Sequence, residues 1–229
     1  MSDPSSLPPA PAPADPGPTS SAHQRRKAER PQELLDAALE LFVEKGFAAT
    51  RAEEVAKRAG VSKGTLYLYF QSKEELLKAV IREQLSSRII AGAQVAAQHR
   101  GSCAELLRSV FPTWWADVVR SSSSGVFKLV VGEVRNFPDI AEFYQQEVVE
   151  PGLRLVSSIV SSGMERGEFR ALPVDMVAHS ILLPLVMLCI HKHSLGVCCP
   201  AESLMDPEAF IRLHIDLILQ GLAQPGDGA

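Results

Sequence analysis

Apolar positions recur at three- and four-residue spacing along most of this chain, and no stretch alternates with the period of two that marks a half-buried strand. Leu34, Leu35, Ala38, Leu41 and Phe42 set the pattern, which stops at Gly46, a C-terminal glycine signal, while Pro31 reads as a first-turn residue. Thr50 with Glu53 three residues later reads as a capping box that opens a short helix with Val55, Ala56 and Ala59 inward, ended by Gly60. Ser62 caps a second short helix to Tyr69, and Ser72 with Glu75 caps a long one over 73–92. Further helices are predicted over 103–120, 125–136, 139–167, 174–195 and 207–221. Pro112 and Pro184 predict kinks within two of these, and Pro138, Gly167 with Pro173, and Pro200 mark turns. The predicted fold class is all-α.

Two short helices separated by a few residues around a glycine make a helix-turn-helix, here about 51–70. Leu39, Phe42 and Phe47 with Val55, Ala56, Ala59, Leu66 and Phe70 would close a small three-helix core. The predicted organisation is a disordered tail over 1–27, a head over 28–88, a larger helical domain over 89–223, and a disordered end over 224–229. Residues 1–22 hold seven of the 16 prolines, a composition that cannot bury a core. The basic run Arg25-Arg26-Lys27 with Arg30 is either a solvated arm or a phosphate contact.

Charge refines this picture. The net charge of −4 looks wrong for a nucleic-acid binder, yet residues 23–73 carry ten Lys and Arg against seven Asp and Glu. The excess of negative charge lies elsewhere in the chain. No apolar stretch of roughly 18 residues escapes a charge or a proline, and 181–190 is both short and interrupted by Pro184, so no membrane span is expected. The N-terminus lacks an apolar signal core, which predicts a cytoplasmic protein. Cys103, Cys189, Cys198 and Cys199 show neither disulfide nor zinc spacing and fit a reducing compartment. His191 and His193 point opposite ways on a helix, a poor chelating pair beside Cys198-Cys199, so no metal and no cofactor is assigned. No Ser/Cys–His–Asp pattern appears, and His179, His191 and Cys189 make no nucleophile–base set, so no catalysis is expected.

The chemistry-bearing stretch is GVSKGTLYLYF, residues 60–70. A recognition helix meets bases with its N-terminal residues while phosphate contacts set its register. Ser62, Lys63, Gly64 and Thr65 occupy that turn, and Gly64 permits a close approach to a duplex. Tyr67 and Tyr69 lie on different flanks, so at least one is exposed; each is either packed against the head or directed outward. TRAEEVAKRAGVSKGTLYLYFQSKEELL, residues 50–77, together with LLDAALELFVEKGF before it, closely resembles the DNA-binding head of TetR-type transcriptional regulators. The resemblance covers about residues 28–88, with Gly60, Ser62, Gly64, Thr65, Tyr67, Tyr69, Phe70 and Lys73 in register. It implies that Thr50 and Arg51 open a helix that touches phosphate, with Arg51 departing from the usual hydroxyl residue. It further implies that Lys63, Gly64 and Thr65 meet bases or backbone, that Tyr67 and Tyr69 reach phosphates and sometimes bases, and that Lys73 grips a phosphate.

Beyond the head the resemblance is architectural and implies an effector-binding and dimerisation domain. Phe111, Trp114, Trp115, Phe127, Phe143, Tyr144, Met176, His179 and Met187 are the candidate pocket liners for an apolar effector, each otherwise ordinary core. Neighbouring tryptophans cannot share a direction on a helix, so one of Trp114 and Trp115 faces a cavity or interface. Glu133, on an otherwise apolar helix, either pairs with the neighbours of Arg135 or orients a ligand, and the sequence does not decide between them. The stripes Val177, Ile181, Leu185, Leu188 and Phe210, Leu213, Leu217 imply a homodimer through the last two long helices. The implied function is a homodimeric repressor that binds a palindromic double-stranded DNA operator and is released by a small apolar effector. The alternative is a helical ligand-binding or adaptor protein without sequence-specific DNA binding.

Overall fold

The structure is a computed structural model that describes residues 20–194, 196 and 205–224, with side chains from Glu29 onward. Helices occur throughout the described residues and no strand does. The head comprises α1 (Ser20–Lys45), α2 (Ala52–Arg58) and α3 (Lys63–Tyr69), packed against the start of α4 (Lys73–Ile81). α4 continues through a π-helical turn, Arg82–Ser86, into α5 (Ser87–Gln98), so one long helix leaves the head and enters the second domain. α6 (Cys103–Glu105), a π turn Leu106–Val110 and α7 (Phe111–Arg120) form the next continuous rod. α8 (Ser124–Glu133) follows, then α9 (Pro138–Tyr144), a π turn Gln145–Val149 and α10 (Glu150–Glu165) as another rod. α11 (Val174–His193) and α12 (Pro207–Leu222) complete the domain.

The helix starts are local and obey capping chemistry. Ser62 Oγ accepts from Thr65 N at 3.1 Å, and Ser72 Oγ accepts from Glu75 N at 3.1 Å. Gly60 ends α2 with φ +68°, a left-handed conformation that favours glycine. The predicted box at α2 is displaced by one residue. Arg51 is the N-cap, and Glu54 Oε2 accepts from its backbone N–H at 3.1 Å. Thr50 turns inward, 1% exposed, and its hydroxyl reaches Gly46 O at 2.7 Å and Leu41 O at 3.2 Å. It therefore closes the end of α1 rather than opening α2.

Proline positions also refine the prediction. Pro31 lies inside α1, which begins at Ser20, so 20–27 of the predicted tail are helical; residues 1–19 lie outside those described. Pro112 and Pro151 each follow a π turn directly, where the wider winding accommodates the missing N–H and the ring's clash with the preceding turn. Pro184 lies within an uninterrupted α11.

One hydrophobic core runs from the head into the larger domain, from Leu34, Phe42 and Phe47 through Leu76 and Ile81 to Leu107, Ile181 and Ile211. α11 is long and apolar enough to cross a membrane by length and composition. Here it packs on α8, α10 and α12, with Val177, Ile181, Leu185 and Leu188 buried in that core. Those four, expected at a dimer face, therefore belong to the interior. The opposite side of α11 exposes Met176, Leu183 and Met187, and α12 exposes Leu213 and Leu217.

Candidate functional site

The head presents its outward groups around the α2–α3 turn. Arg51, Ser62, Lys63 and Gly64 are exposed, Thr65 is half-buried, and Leu66 is fully buried and anchors α3. The two tyrosines differ: Tyr67 is 40% exposed, whereas Tyr69 is half-buried against the core. Between them Leu68 is 78% exposed, an apolar side chain on the outer face that the sequence reading did not single out. Its signal was available, since the inward positions Leu66, buried, and Phe70, partly buried, leave residue 68 on the opposite side of the helix.

Lys63 Nζ forms an ion pair with Glu53 at 2.5 Å and lies 5.8 Å from the Tyr67 ring centre. That hydrogen bond holds the Glu53 carboxyl below its ordinary range and raises the Lys63 ammonium. Both side chains are solvated, so the pair is readily exchanged for another anion. Gly64 is exposed, and a Cβ there would meet only Ser62 Oγ at 3.7 Å. Nothing inside the head requires glycine at this helical position, where it costs about 1 kcal/mol relative to alanine.

Two of the expected phosphate residues are committed inside the head. Thr50 is buried as described above. Lys73 Nζ donates to Phe47 O at 2.8 Å, Thr50 O at 3.0 Å and Ala48 O at 3.4 Å, and sits 4.3 Å above the Phe47 ring. It gathers the carbonyls of the α1–α2 turn, which no helix ladder satisfies.

The same turn is held from the other domain. Glu133 Oε1, at the end of α8, accepts from Phe47 N at 3.1 Å and Ala48 N at 3.3 Å. Phe137 meets the Phe47 ring edge-on at 4.9 Å, and Gly125 of α8 lets Val43 of α1 approach so closely that a Cβ would lie 2.7 Å from it. The head is thus seated on α8, and this resolves the partner of Glu133.

α8 is also one wall of a chamber of about 310 Å³, enclosed by α5, α7, α10 and α11. Six of the nine expected liners reach it: Phe111, Trp114, Trp115, Phe127, Tyr144 and His179. Three do not. Phe143 is half-buried outside the chamber, beneath Arg82, which lies 5.0 Å from its ring centre, with Lys78 at 5.9 Å. Met176 and Met187 point outward, 71% and 59% exposed, because α11 turns its other side to the core. The liners missed by sequence reasoning are mainly aliphatic, such as Leu85, Val148, Leu155 and Val186, which nothing in composition separates from core. The polar groups here are few. Burial raises the Tyr144 phenol well above its ordinary pKa, Trp115 Nε1 is buried without a hydrogen-bond partner, and Arg88 is half-buried. A second groove of about 520 Å³ adjoins the chamber and shares Ile89 and Leu155 with it.

No group of three or more metal-ligating side chains forms among the described residues. His193 Nε2 lies 2.8 Å from Ser124 Oγ, and Cys198 and Cys199 lie outside the described residues. Lys192 Nζ donates to Val119 O at 2.6 Å, so this run closes the end of α7.

Comparison with known proteins agrees with this arrangement. The family described as "Bacterial regulatory proteins, tetR family" matches residues 34–80. The HTH-type transcriptional activator FasR of Mycolicibacterium smegmatis is 31% identical over 155 residues, 67% of this chain and 69% of that protein. The HTH-type transcriptional repressor KstR2 of Rhodococcus jostii is 26% identical across 87% of this chain and 94% of its own. In fold, the chain resembles the transcriptional regulator FadR from Bacillus subtilis in complex with stearoyl-CoA, with a TM-score of 0.66 at 20% identity, covering 83% of this chain and 98% of that one. With its capped helix-turn-helix, its helical second domain and this degree of identity, the chain belongs to the tetR family of bacterial regulatory proteins, the DNA-binding transcriptional regulators.

Proposed function

We propose that the chain acts in the cytoplasm as a homodimeric repressor whose operator binding is opposed by an apolar effector held in the chamber. The observation that carries this reading is the Glu133 bond to Phe47 and Ala48, which ties a chamber wall to the turn beneath the recognition helices. A ligand that moves the end of α8 shifts the head only if the two states differ in affinity for it, which such a direct contact supplies. Arg51, Ser62, Lys63, Gly64, Thr65, Tyr67 and Leu68 are the DNA-facing set. Thr50 and Lys73 support it from within, and Tyr69 flanks it. Leu183, Met187, Leu213 and Leu217, exposed on adjoining helices, are the dimer face that sets two heads on successive major grooves. An effector with an acyl chain suits the aliphatic and aromatic walls, and stearoyl-CoA occupies the FadR relative.

Sequencing genomic DNA retained by the purified full chain tests the reading. An enriched inverted repeat, bound less tightly as salt rises, is the expected result; recovery without sequence enrichment overturns it. A reporter carrying the recovered site distinguishes repression from the activation named for the FasR relative.

A further inference from the structure

Arg88 stands out on the chamber wall. It lies on α5, half-buried among Leu85, Ile89, Trp114 and Leu153, and makes no ion pair, hydrogen bond or ring contact with any described residue. No Asp or Glu lines the chamber. A guanidinium partly removed from water and left unmatched is costly, and its planar fork of donors is suited to a carboxylate or phosphate. Two further donors that line the chamber, on α7 and α9, also lack partners. Trp115 is 4% exposed with its indole N–H unsatisfied, and the hydroxyl of the half-buried Tyr144 has no hydrogen bond among the described residues. His179 Nδ1 bonds the Asp175 carbonyl at 2.7 Å, which leaves Nε2 as an acceptor in the neutral ring.

We infer that the effector is an amphiphile with an anionic oxygen group, which Arg88 binds while the apolar walls take its chain. This deepens the effector reading above and rests on it. The adjoining groove beyond Ile89 and Leu155 gives the rest of a large head, such as the nucleotide of an acyl-CoA, a place outside the chamber once Arg88 holds one of its phosphates. The shared chemistry is therefore an anionic oxygen on an apolar chain, from either a free carboxylate or an acyl-CoA.

Both tryptophans of the chain line the chamber, so their fluorescence reports occupancy. Titrating the full chain with dodecanoate, dodecanoyl-CoA and dodecanol separates the cases. Dodecanoate or dodecanoyl-CoA should bind about tenfold or more tightly than dodecanol, and the stronger of the two identifies the source of the anion. Arg88→Gln should weaken the anionic ligands by about tenfold while the dodecanol titration stays within about twofold, and Arg88→Lys should recover part of the loss. Equal affinities for all three ligands, or an Arg88→Gln loss common to all three, overturns the inference but leaves an apolar effector standing. A chain that responds to none of the three overturns this inference and the effector reading together.

Discussion

Glu133, the last residue of α8, accepts a hydrogen bond from the backbone N–H of Phe47 at 3.1 Å, 86 residues earlier in the chain. The Ala48 N–H meets the same oxygen at 3.3 Å. A carboxylate accepting two backbone donors is a charge-assisted contact whose loss leaves both N–H groups unmatched. Glu133→Ala should therefore destabilise the chain by about 1–3 kcal/mol. Hydrogen exchange should quicken at Phe47 and Ala48 more than in α12; unchanged exchange there would show that the head seats without this contact.

Lys73 and Tyr67 should separate in a paired measurement. Lys73 binds three carbonyls of the head, whereas Tyr67 is exposed. Lys73→Ala should lower the melting temperature, with a cost of about 1.5 kcal/mol for a charged donor removed from partly buried acceptors. Tyr67→Ala should leave melting within experimental error and reduce operator retention. A Lys73→Ala protein that melts normally but loses DNA would restore the lysine to a phosphate.

Leu68 supplies methyl groups at the most exposed apolar position of α3. An apolar side chain in the major groove meets the thymine methyl. Leu68→Ser should shift base preference at one operator position in a selection from random duplexes, with no fall in melting temperature. An unaltered selection profile would place Leu68 off the bases.

The face shared by Met187 and Leu217 should control assembly. Met187→Asp combined with Leu217→Asp puts charge on exposed positions outside the chamber, so the fold should survive while a dimer does not. Light scattering after size exclusion should report a monomer, and operator affinity should fall with it. A persistent dimer would assign assembly to another surface.

His193 predicts a pH dependence. Burial, with Lys192 and Lys128 nearby, lowers its pKa below the ordinary 6.5. The unfolded chain then takes up the proton more readily, so stability is full above the unfolded value and is lost as pH falls through the folded one. Between about pH 7 and 5, His193→Gln should lose less melting temperature than the parent chain.

Much of the fold is written locally in the sequence. Ser62, Ser72 and Gly60 act within a single turn of chain, so caps and stops could be read without knowing any neighbour. The resemblance of residues 50–77 pointed to the outer face of the two short helices for the same reason, because its register follows them. What remained was decided by contacts distant in sequence. Thr50 and Arg51 compete for one cap, and only the end of α1 drew the Thr50 hydroxyl inward. α11 is apolar on every side, so its periodicity could not say that Val177 and Ile181 face the core while Met176 and Met187 face out. Phe143 and Tyr144 are adjacent aromatics, yet one carries surface cations and the other lines the chamber. Sequence determined the helices and the exposed face of the helix-turn-helix, since both arise from turn-scale chemistry. Tertiary structure alone decided which faces were buried, which donors stayed unmatched at Arg88 and Trp115, and that Glu133 would join the two domains.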